Sequence, residues 1–283
     1  MTPSFRLAAA VAMVATSLAA APQLAPTDAA ATLRFAVIGD NGTGQEPQYD
    51  VARQMVQAHA RVPFEFVVMV GDNLYGSQKP RDFVDKFEIP YGPLLRMGIP
   101  FYAALGNHDQ PDNRNYAPFN MGGQRYYSFS KGPARFFVFD TNFLDPQQVE
   151  WIERSLQASK DEWKIAIFHH PLYSDGDRHG PDVSLRVVLE PLFVRHGVDV
   201  VFSGHEHIYE RIKPQKGIPY FIVGSSGQLR KGGLTASAQT AAGFDQDRAF
   251  VLASIAGDTM SFQAISRTGQ SIDTGVIKSR AVQ

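Results

Sequence analysis

A short apolar run that ends in a glycine and a polar residue recurs along this chain, and this repeat restricts the fold more than any other feature. Each run has the length and the valine, isoleucine and phenylalanine content of a buried strand. Segments with helical spacing separate the runs, so the sequence predicts an α/β core with partly parallel sheets. The predicted strands are residues 34–38, 66–70, 101–105, 164–168 and 198–202, and the predicted helices are residues 47–60, 81–88, 145–158 and 182–196.

Three further segments complete the predicted organisation of the chain. Residues 125–140 and 249–277 have turn residues between apolar stretches and predict antiparallel hairpins, so the fold is mixed. Residues 224–247 are rich in Gly, Ser, Ala, Thr and Gln and predict a long surface loop. Such a loop either borders a substrate site or is ordinary surface, and the sequence leaves both readings open.

The amino terminus differs in composition from the rest of the chain and predicts a cleaved signal peptide at residues 1–21. A charge-free apolar run at residues 7–20 follows a positive residue, and alanines occupy positions 19–21. This run is shorter than the roughly 20 apolar residues of a spanning helix. We therefore expect a tail at residues 22–32, one domain at residues 33–283, and a secreted or periplasmic protein that is free of the membrane after cleavage.

Composition and charge exclude several kinds of site. The net charge of -1 and pI near 6.7 give no basic field that would concentrate nucleic acid, so we expect no such partner. The chain has no cysteine, which excludes a disulfide framework, a thiol nucleophile and a thiolate metal site. Any metal ligands must be imidazole, carboxylate, amide or phenol groups. Nothing in the composition indicates the oligomeric state.

Five predicted strands each end in a polar cluster, and in an open α/β sheet ligands bind beyond these carboxyl ends. A single Gly-Asp pair after a strand is more often only a turn, and an Asn-His pair only a cap. Five clusters made of metal-ligating side chains predict a metal centre instead. The clusters are Gly39-Asp40-Asn41-Gly42, Gly71-Asp72-Asn73-Leu74-Tyr75, Gly106-Asn107-His108-Asp109, Phe168-His169-His170-Pro171 and Ser203-Gly204-His205-Glu206-His207.

The order and spacing of these clusters resemble the calcineurin-like metallophosphoesterases, whose pattern is G-D-x-[GH], G-D, G-N-H-[DE], a histidine after a strand, and G-H-x-H. The resemblance covers residues 34–211. Two features narrow it to the small, tartrate-resistant type of purple acid phosphatase, namely Tyr75 shortly after Asp72, and His179 in a His-Gly-Pro segment. The resemblance implies two packed mixed β-sheets flanked by helices, an αββα sandwich.

The resemblance also assigns seven residues to a two-metal centre. A phenol binds as phenolate only beside a strongly acidic ion, so Tyr75 favours Fe(III) as its metal. The other ion is expected to be divalent Fe, Zn or Mn, because imidazole and amide ligands suit all three. Neighbouring side chains on a strand point to opposite sides, which argues against His170 as a second ligand beside His169. A direct role for His170 nevertheless stays open. Asp40, Tyr75 and His207 would hold the Fe(III), Asn107, His169 and His205 the divalent ion, and Asp72 would bridge both.

The same resemblance gives roles in catalysis to His108 and His179, which would stabilise the transition state and protonate the leaving group, with Asp109 orienting one of them. The implied reaction is hydrolysis of a phosphate monoester, either a small molecule or protein-bound, by hydroxide generated at the metal pair. A protonated histidine predicts activity that falls above about pH 7. The alternatives are a phosphodiesterase or nucleotidase of the same superfamily, a non-catalytic iron- or phosphate-binding protein, and a redox-active iron protein.

Overall fold

Two mixed β-sheets pack face to face in this protein, and helices cover both outer faces. The computed structural model describes residues 33–280, so the signal peptide and tail predicted for residues 1–32 lie outside the described residues. Aromatic rings fill the space between the sheets. The ring of Phe35 lies 5.1 Å from that of Phe136 and 6.2 Å from that of Phe202, edge to face in both pairs. The arrangement confirms the αββα sandwich.

Strands account for most of the regular structure of residues 33–280. They are β1 (Leu33–Ile38), β2 (Phe66–Met69), β3 (Phe101–Ala103), β4 (Tyr127–Lys131), β5 (Ala134–Val138), β6 (Trp163–Ile167), β7 (Val200–Ser203), β8 (Tyr209–Gln215), β9 (Ile218–Val223), β10 (Thr240–Phe244), β11 (Ala249–Ala256), β12 (Thr259–Ser266) and β13 (Ser271–Lys278).

The helices of the same part of the chain lie between these strands, and most of them connect two parallel strands. They are α1 (Glu46–Arg61), α2 (Pro80–Phe83), α3 (Ile89–Arg96), α4 (Pro146–Ala158) and α5 (Val183–His196), with a π-helical turn at Val84–Glu88 and 3₁₀ turns at Pro111–Asn115 and Ala117–Phe119.

The strand order places a group of neighbouring parallel strands in each sheet. The first sheet has the order β13-β12-β11-β1-β2-β3, and the second has the order β10-β8-β9-β7-β6-β5-β4. Strands β1, β2 and β3 run parallel to one another, as do β5, β6, β7 and β9. Because parallel strands end at the same edge of a sheet, the polar clusters that follow them are brought together.

Helices on the outer faces of the two sheets complete the core. One of them, α5, begins and ends at residues with clear capping conformations. Apolar side chains of α1 and α3 pack on the first sheet, and those of α4 and α5 pack on the second. Asp182 caps α5 by accepting a hydrogen bond from the amide of Leu185 at 2.9 Å. The helix ends at Gly197, which has a φ of 69° and so adopts the left-handed conformation that favours glycine.

Two predictions about secondary structure need correction. The helix predicted at residues 81–88 begins at Pro80 and continues through the π-helical turn into α3. The loop predicted at residues 224–247 contains β10, and its residues 224–227 are buried rather than exposed. Strands β8 and β9 are absent from the prediction, because β8 is rich in polar residues and β9 contains a proline.

Within residues 33–280, no helix combines the length and apolar character needed to cross a membrane.

Candidate metal centre

All five polar clusters meet at one edge of the sandwich, as the sequence predicts. They follow β1, β2, β3, β6 and β7 directly. Backbone hydrogen bonds join them: the amide of Asp40 donates to the carbonyl of Gly71 at 3.0 Å, and the amide of Gly204 donates to the carbonyl of His169 at 2.9 Å. The donor side chains are therefore held on a rigid framework of strand ends.

The first donor set consists of Asp40, Tyr75, His207 and one oxygen of Asp72. The phenol oxygen of Tyr75 lies 2.9 Å from Asp72 Oδ2, 3.3 Å from Asp40 Oδ1 and 3.3 Å from His207 Nε2. His207 Nε2 in turn lies 3.4 Å from Asp40 Oδ1. Ligands that bind one ion at about 2.1 Å lie roughly 3 Å apart, so these four donors fit a single metal ion.

The second donor set consists of Asn107, His169, His205 and the other oxygen of Asp72. His169 Nε2 lies 3.0 Å from Asn107 Oδ1, 3.2 Å from His205 Nδ1 and 3.5 Å from Asp72 Oδ1. The Nδ1 atom of His169 is 3.0 Å from the carbonyl of Val70, a partner that fixes the ring and leaves Nε2 as the ligand atom. This second set therefore also fits one ion.

Asp72 connects the two sets, because its two carboxylate oxygens face in different directions. Oδ2 lies against Tyr75 of the first set, and Oδ1 lies nearer to His169 of the second. The amide of His108 also donates to Oδ1, at 2.8 Å, and holds the carboxylate in this orientation. The arrangement fits the bridging role that the sequence predicts for Asp72.

Three of these ligand candidates have an unusual backbone conformation. Asp40, Asp72 and His205 have φ angles of 52°, 54° and 70°, in the left-handed region that residues with a Cβ rarely adopt. Each such residue costs roughly 1–2 kcal/mol, and such strain is concentrated at functional sites. The conformation turns each side chain from the end of its strand towards the common centre.

Glycines of the motifs are required by the close approach of these carboxylates. A Cβ atom at Gly204 would lie 2.4 Å from Asp40 Oδ2, and one at Gly106 would lie 2.2 Å from Asp72 Oδ1. Both distances are far shorter than a van der Waals contact. The glycine before Asn107 therefore leaves space for the carboxylate of Asp72, and the glycine before His205 leaves space for that of Asp40.

Burial affects the protonation of every acid in the centre. Burial raises the pKa of Asp40 well above its usual value, and the charge of Asp72 raises it further. Burial also raises the pKa of Asp72 and, together with Asp40 and Asp72, that of Tyr75. Among residues 33–280, no lysine or arginine forms an ion pair with Asp40 or Asp72. Clustered acids of this kind are suited to a metal cation as their counter-charge.

The imidazoles of the centre are held neutral, which is the form that binds metals. Burial, with the neighbouring His169, lowers the pKa of His205 to about 2. Burial also lowers the pKa of His169 well below its usual value, and to a smaller extent that of His207. The chemistry of the donors, with acids in one set and neutral groups in the other, fits the two metal ions expected from the sequence.

The two further catalytic candidates lie beside different donor sets. The ring of His108 is 4.7 Å from that of Tyr75, and the ring of His179 is 4.1 Å from that of His205. His179 Nε2 accepts a hydrogen bond from Arg178 Nε at 3.1 Å. Burial lowers the pKa of His179 and Arg178 lowers it further, against an opposite effect of Glu206. A protonated His179 is therefore confined to more acidic conditions than the sequence predicts.

Asp109 does not orient an imidazole, which corrects the role predicted for it. Its carboxylate accepts hydrogen bonds from the amides of Gly106, Asn73 and Leu74 at 2.9, 3.1 and 3.1 Å, and from Asn73 Nδ2 at 2.8 Å. Burial and the charge of Asp72 raise the pKa of Asp109 to about 7. Its function is to hold two ligand-bearing loops together, because all of these donors belong to the loops after β2 and β3.

His170 lies at the wall of the centre, between two open clefts. Its Nδ1 is 2.9 Å from Thr141 Oγ1, and its ring is 4.4 Å from that of His205. The nitrogens of His169, His170 and His205 are close enough together to hold one ion. A cleft of about 680 Å³ on one side of His170 contains Asn107 and Arg125, and a cleft of about 480 Å³ on the other contains His179 and His205.

Two features that support the centre were not assigned a role from the sequence. Glu206 is fully buried, and its Oε1 accepts the amides of His179 and Gly180 at 2.5 and 2.6 Å. The segment at residues 224–247 also joins the site, because the amide of Arg230 donates to the carbonyl of His207 at 2.8 Å. The position of Glu206 between two ligand histidines was the only signal, and it does not show which backbone the carboxylate will bind.

Comparison with known proteins adds an independent result. The family model of the calcineurin-like phosphoesterases matches residues 33–209. Tartrate-resistant acid phosphatase type 5 of Rattus norvegicus is 27% identical over 242 residues, which are 70% of this chain and 74% of that protein. The Fe(3+)-Zn(2+) purple acid phosphatase 12 of Arabidopsis thaliana is 29% identical over 184 residues, which are 56% of this chain and 39% of that protein.

A solved structure extends the similarity to the fold. The purple acid phosphatase PPD1 from yellow lupin (Lupinus luteus) seeds superimposes with a TM-score of 0.71 at 20% sequence identity. The match covers 88% of this chain and 54% of the plant protein. The family match shows that this chain belongs to the calcineurin-like phosphoesterases. It is a hydrolase that is similar to the purple acid phosphatases.

Proposed function

We propose that this protein is a two-metal acid phosphatase that hydrolyses phosphate monoesters. The observation that carries the proposal is the position of Asp72, whose two oxygens face a donor set with a phenol and a donor set with an amide. The similarity to tartrate-resistant acid phosphatase type 5 supports the same class of substrate. The substrate is a small-molecule or protein-bound phosphate ester.

The charge of the two donor sets supports Fe(III) in the first and a divalent ion in the second. Tyr75 lies against both Asp40 and Asp72, so its phenol loses its proton only to a strongly acidic ion. The second set adds no negative charge of its own, which suits divalent Fe, Zn or Mn. A relative named as an Fe(3+)-Zn(2+) purple acid phosphatase supports the same pair of ions.

The residues around the centre would bind and orient the ester. When bound, two ions would supply positive charge for the phosphate oxygens and acidity for a water nucleophile. Asn107 and His108 are exposed and form the rim through which an ester enters. His108 would donate a hydrogen bond to the phosphate, and His179, when protonated, would donate a proton to the leaving oxygen. Glu206 holds the loop of His179 in place.

We further propose that the protein is exported and acts in a secreted or periplasmic location. The support is the sequence of residues 1–21, with its charge-free apolar run and small residues at the expected cleavage point. Expression of the full chain in a bacterial host tests this. Recovery of the mature protein outside the cytoplasm, with a new amino terminus near residue 22, is expected, whereas an intact chain in the cytoplasm contradicts the proposal.

Hydrolysis of two aryl substrates tests the catalytic proposal. The protein, expressed from residue 22 and supplied with iron and zinc, is assayed with an aryl phosphate monoester and an aryl diester from about pH 4 to 9. Faster monoester hydrolysis with an acidic optimum is expected. The Asp72→Asn variant is the control, because its loss of activity ties the hydrolysis to the bridged centre.

Two other outcomes would assign a different function. Faster diester hydrolysis near neutral or alkaline pH would place the protein among the phosphodiesterases of its family. Absence of hydrolysis of either substrate, in a protein that contains two metal ions per chain, would overturn the catalytic proposal and favour an iron- or phosphate-binding role.

A further inference from the structure

The cleft beside His179 contains a guanidinium group whose charge is not neutralised. Arg178 is exposed at the rim of this cleft of about 480 Å³, which His179, His205 and Asp182 also line. Its Nε donates to His179 Nε2, so the two terminal nitrogens remain available. Within residues 33–280, no carboxylate forms an ion pair with Arg178. An arginine in this state is a ready binding group for a planar or tetrahedral anion.

In the neighbouring cleft, by contrast, carboxylates neutralise the charge of the arginine. Arg125 lines the cleft of about 680 Å³, but its Nη1 is 2.8 Å from Asp140 Oδ2 and its Nη2 is 2.8 Å from Asp145 Oδ2. Two carboxylates therefore occupy the face of the guanidinium that would bind an anion. Of the two clefts beside the metal centre, only that of Arg178 offers an uncompensated positive charge among the residues described.

A second arginine adds positive charge on the same side of the centre. The amide of Arg230 donates to the carbonyl of His207 at 2.8 Å, which places it beside the first donor set. Its guanidinium pairs with Asp177 at 2.7 Å, so its charge is only partly available.

The backbone that carries Arg178 is held on two sides, so the loop is fixed at the point where this side chain begins. Below the loop, the buried Glu206 accepts the amides of His179 and Gly180. Beside it, the amide of Asp177 donates to the carbonyl of Gly233 at 2.9 Å. The carboxylate of Glu206 faces these amides rather than the cleft and does not neutralise Arg178. The loop itself therefore needs no reordering when the guanidinium binds an anion.

We propose that Arg178 binds a second anionic group of the substrate, so that preferred substrates, whether phosphate esters or phosphoanhydrides, carry a phosphate or carboxylate next to the phosphate that is hydrolysed. The inference rests on the proposed phosphatase function and names its substrate class. With a nucleoside diphosphate, the oxygen of water bonds to the terminal phosphorus and the bond from that phosphorus to the bridging oxygen breaks. The bridging oxygen stays with the monophosphate, one proton of water is released, and the remaining phosphate of the product lies against Arg178.

Substrate pairs that differ in the charge of the leaving group test this inference. The metal-loaded protein is assayed with ADP, with 3-phosphoglycerate and with 4-nitrophenyl phosphate, whose leaving group carries no second anionic group before cleavage. In Arg178→Met, kcat/KM for ADP is expected to fall roughly ten- to a hundredfold more than kcat/KM for the aryl ester, the range for loss of a charge-assisted hydrogen bond. Arg178→Lys should recover part of this selectivity, because it keeps the charge but not the planar fork.

Arg96→Met is the matched control, because Arg96 is an exposed arginine at the end of α3, before β3 rather than after it. It should keep the substrate preference of the unmodified protein. Metal content equal to that of the unmodified protein shows that each variant has folded. A stronger effect of Arg178→Met on ADP identifies a phosphate as the second anion, and a stronger effect on 3-phosphoglycerate identifies a carboxylate.

Equal losses on all three substrates in Arg178→Met would overturn the inference while leaving the phosphatase function intact. The same is true if the unmodified protein shows no preference for the doubly anionic substrates. Failure of the unmodified protein to hydrolyse 4-nitrophenyl phosphate would instead contradict the proposed function, so the two failures are distinguishable.

Discussion

The two donor sets of the metal centre share Asp72 but differ in charge. The first set adds a carboxylate and a phenol, Asp40 and Tyr75, to one imidazole, whereas the second adds only neutral groups. Positive charge bound in the first set is therefore largely neutralised by the protein, and that in the second set is not. The difference shows how one centre can hold a highly charged ion firmly and still attract a phosphate ester.

The two sets differ in exposure as well as in charge. Asn107 of the second set is the one exposed donor and lies at the rim of the larger cleft, whereas Asp40 of the first set and His169 of the second are fully buried. An ester that enters the cleft therefore meets the neutral set first. From charge and access together, we expect the second set to contribute most to substrate binding.

Removal of one imidazole from either set should have the largest effect. In His169→Ala we expect loss of about one metal ion per chain and a fall in kcat on the order of a thousandfold or more, since each ion supplies several kcal/mol of transition-state stabilisation. His207→Ala should lose the other ion. Elemental analysis of the purified variants measures this, with His59→Ala as a control outside the centre. Two ions per chain in both variants would show that the ligands are assigned incorrectly.

His108 should matter for turnover without affecting either set. In His108→Ala we expect kcat to fall about a hundredfold, because the variant removes a hydrogen-bond donor to the substrate but no ligand. Metal content should stay at two ions per chain. Loss of an ion in this variant would show that His108 is a metal ligand rather than a group at the rim.

The phenol of the first set should account for colour and for part of the metal affinity. In Tyr75→Phe the visible absorption expected of a phenolate bound to Fe(III) should disappear. Iron affinity should fall tenfold or more, because loss of a group that merely hydrogen-bonds a ligand already lowers metal affinity by about tenfold. Absorption spectra and iron titrations measure both effects. Tyr91→Phe is a control, because Tyr91 is buried in the core beside Phe87. Colour that persists in Tyr75→Phe would exclude this residue as a ligand.

Chelation should destabilise the fold, because the metal ions bind the folded chain and not the unfolded one. The free energy of unfolding should fall by about RT ln(1 + [metal]/Kd), which is about 4 kcal/mol at a thousandfold excess over Kd. Calorimetry with and without chelator measures the change in Tm. Asp72→Asn, which lacks the shared carboxylate, should show a smaller change. An unchanged Tm in the unmodified protein after complete removal of metal would contradict the prediction.

The smallest expected effect is a shift of the alkaline limb of the pH profile. Activity that needs protonated His179 is present below the pKa of that residue in the folded protein and is lost as the pH rises through it. Burial and Arg178 lower this pKa, so the limb should lie below the ordinary value of 6.5. Arg178→Met should move it to higher pH. The limb should vanish in His179→Gln, and a limb that survives there must belong to another group.

Much of the metal centre could be predicted from the sequence, because its ligands stand at the ends of recognisable strands. Once β1, β2 and β3 are parallel, Asp40 and Asp72 must meet at one edge, whatever the details of the loops. The role of Asp109 could not be predicted in the same way. Its neighbour His108 suggests a partner, but a carboxylate binds whichever donors the folded loops bring to it, and these are backbone amides.

Sequence by itself determined the fold class and the set of candidate metal-ligating side chains, since both depend on local spacing and on residue chemistry. Tertiary structure alone decided which charges remain free. Arg125 and Arg178 are both ordinary arginines in the sequence, yet Asp140 and Asp145 neutralise one, while no carboxylate in residues 33–280 pairs with the other. Ion pairing depends on distances of a few ångströms between segments that are remote along the chain, and only the packed structure sets those distances.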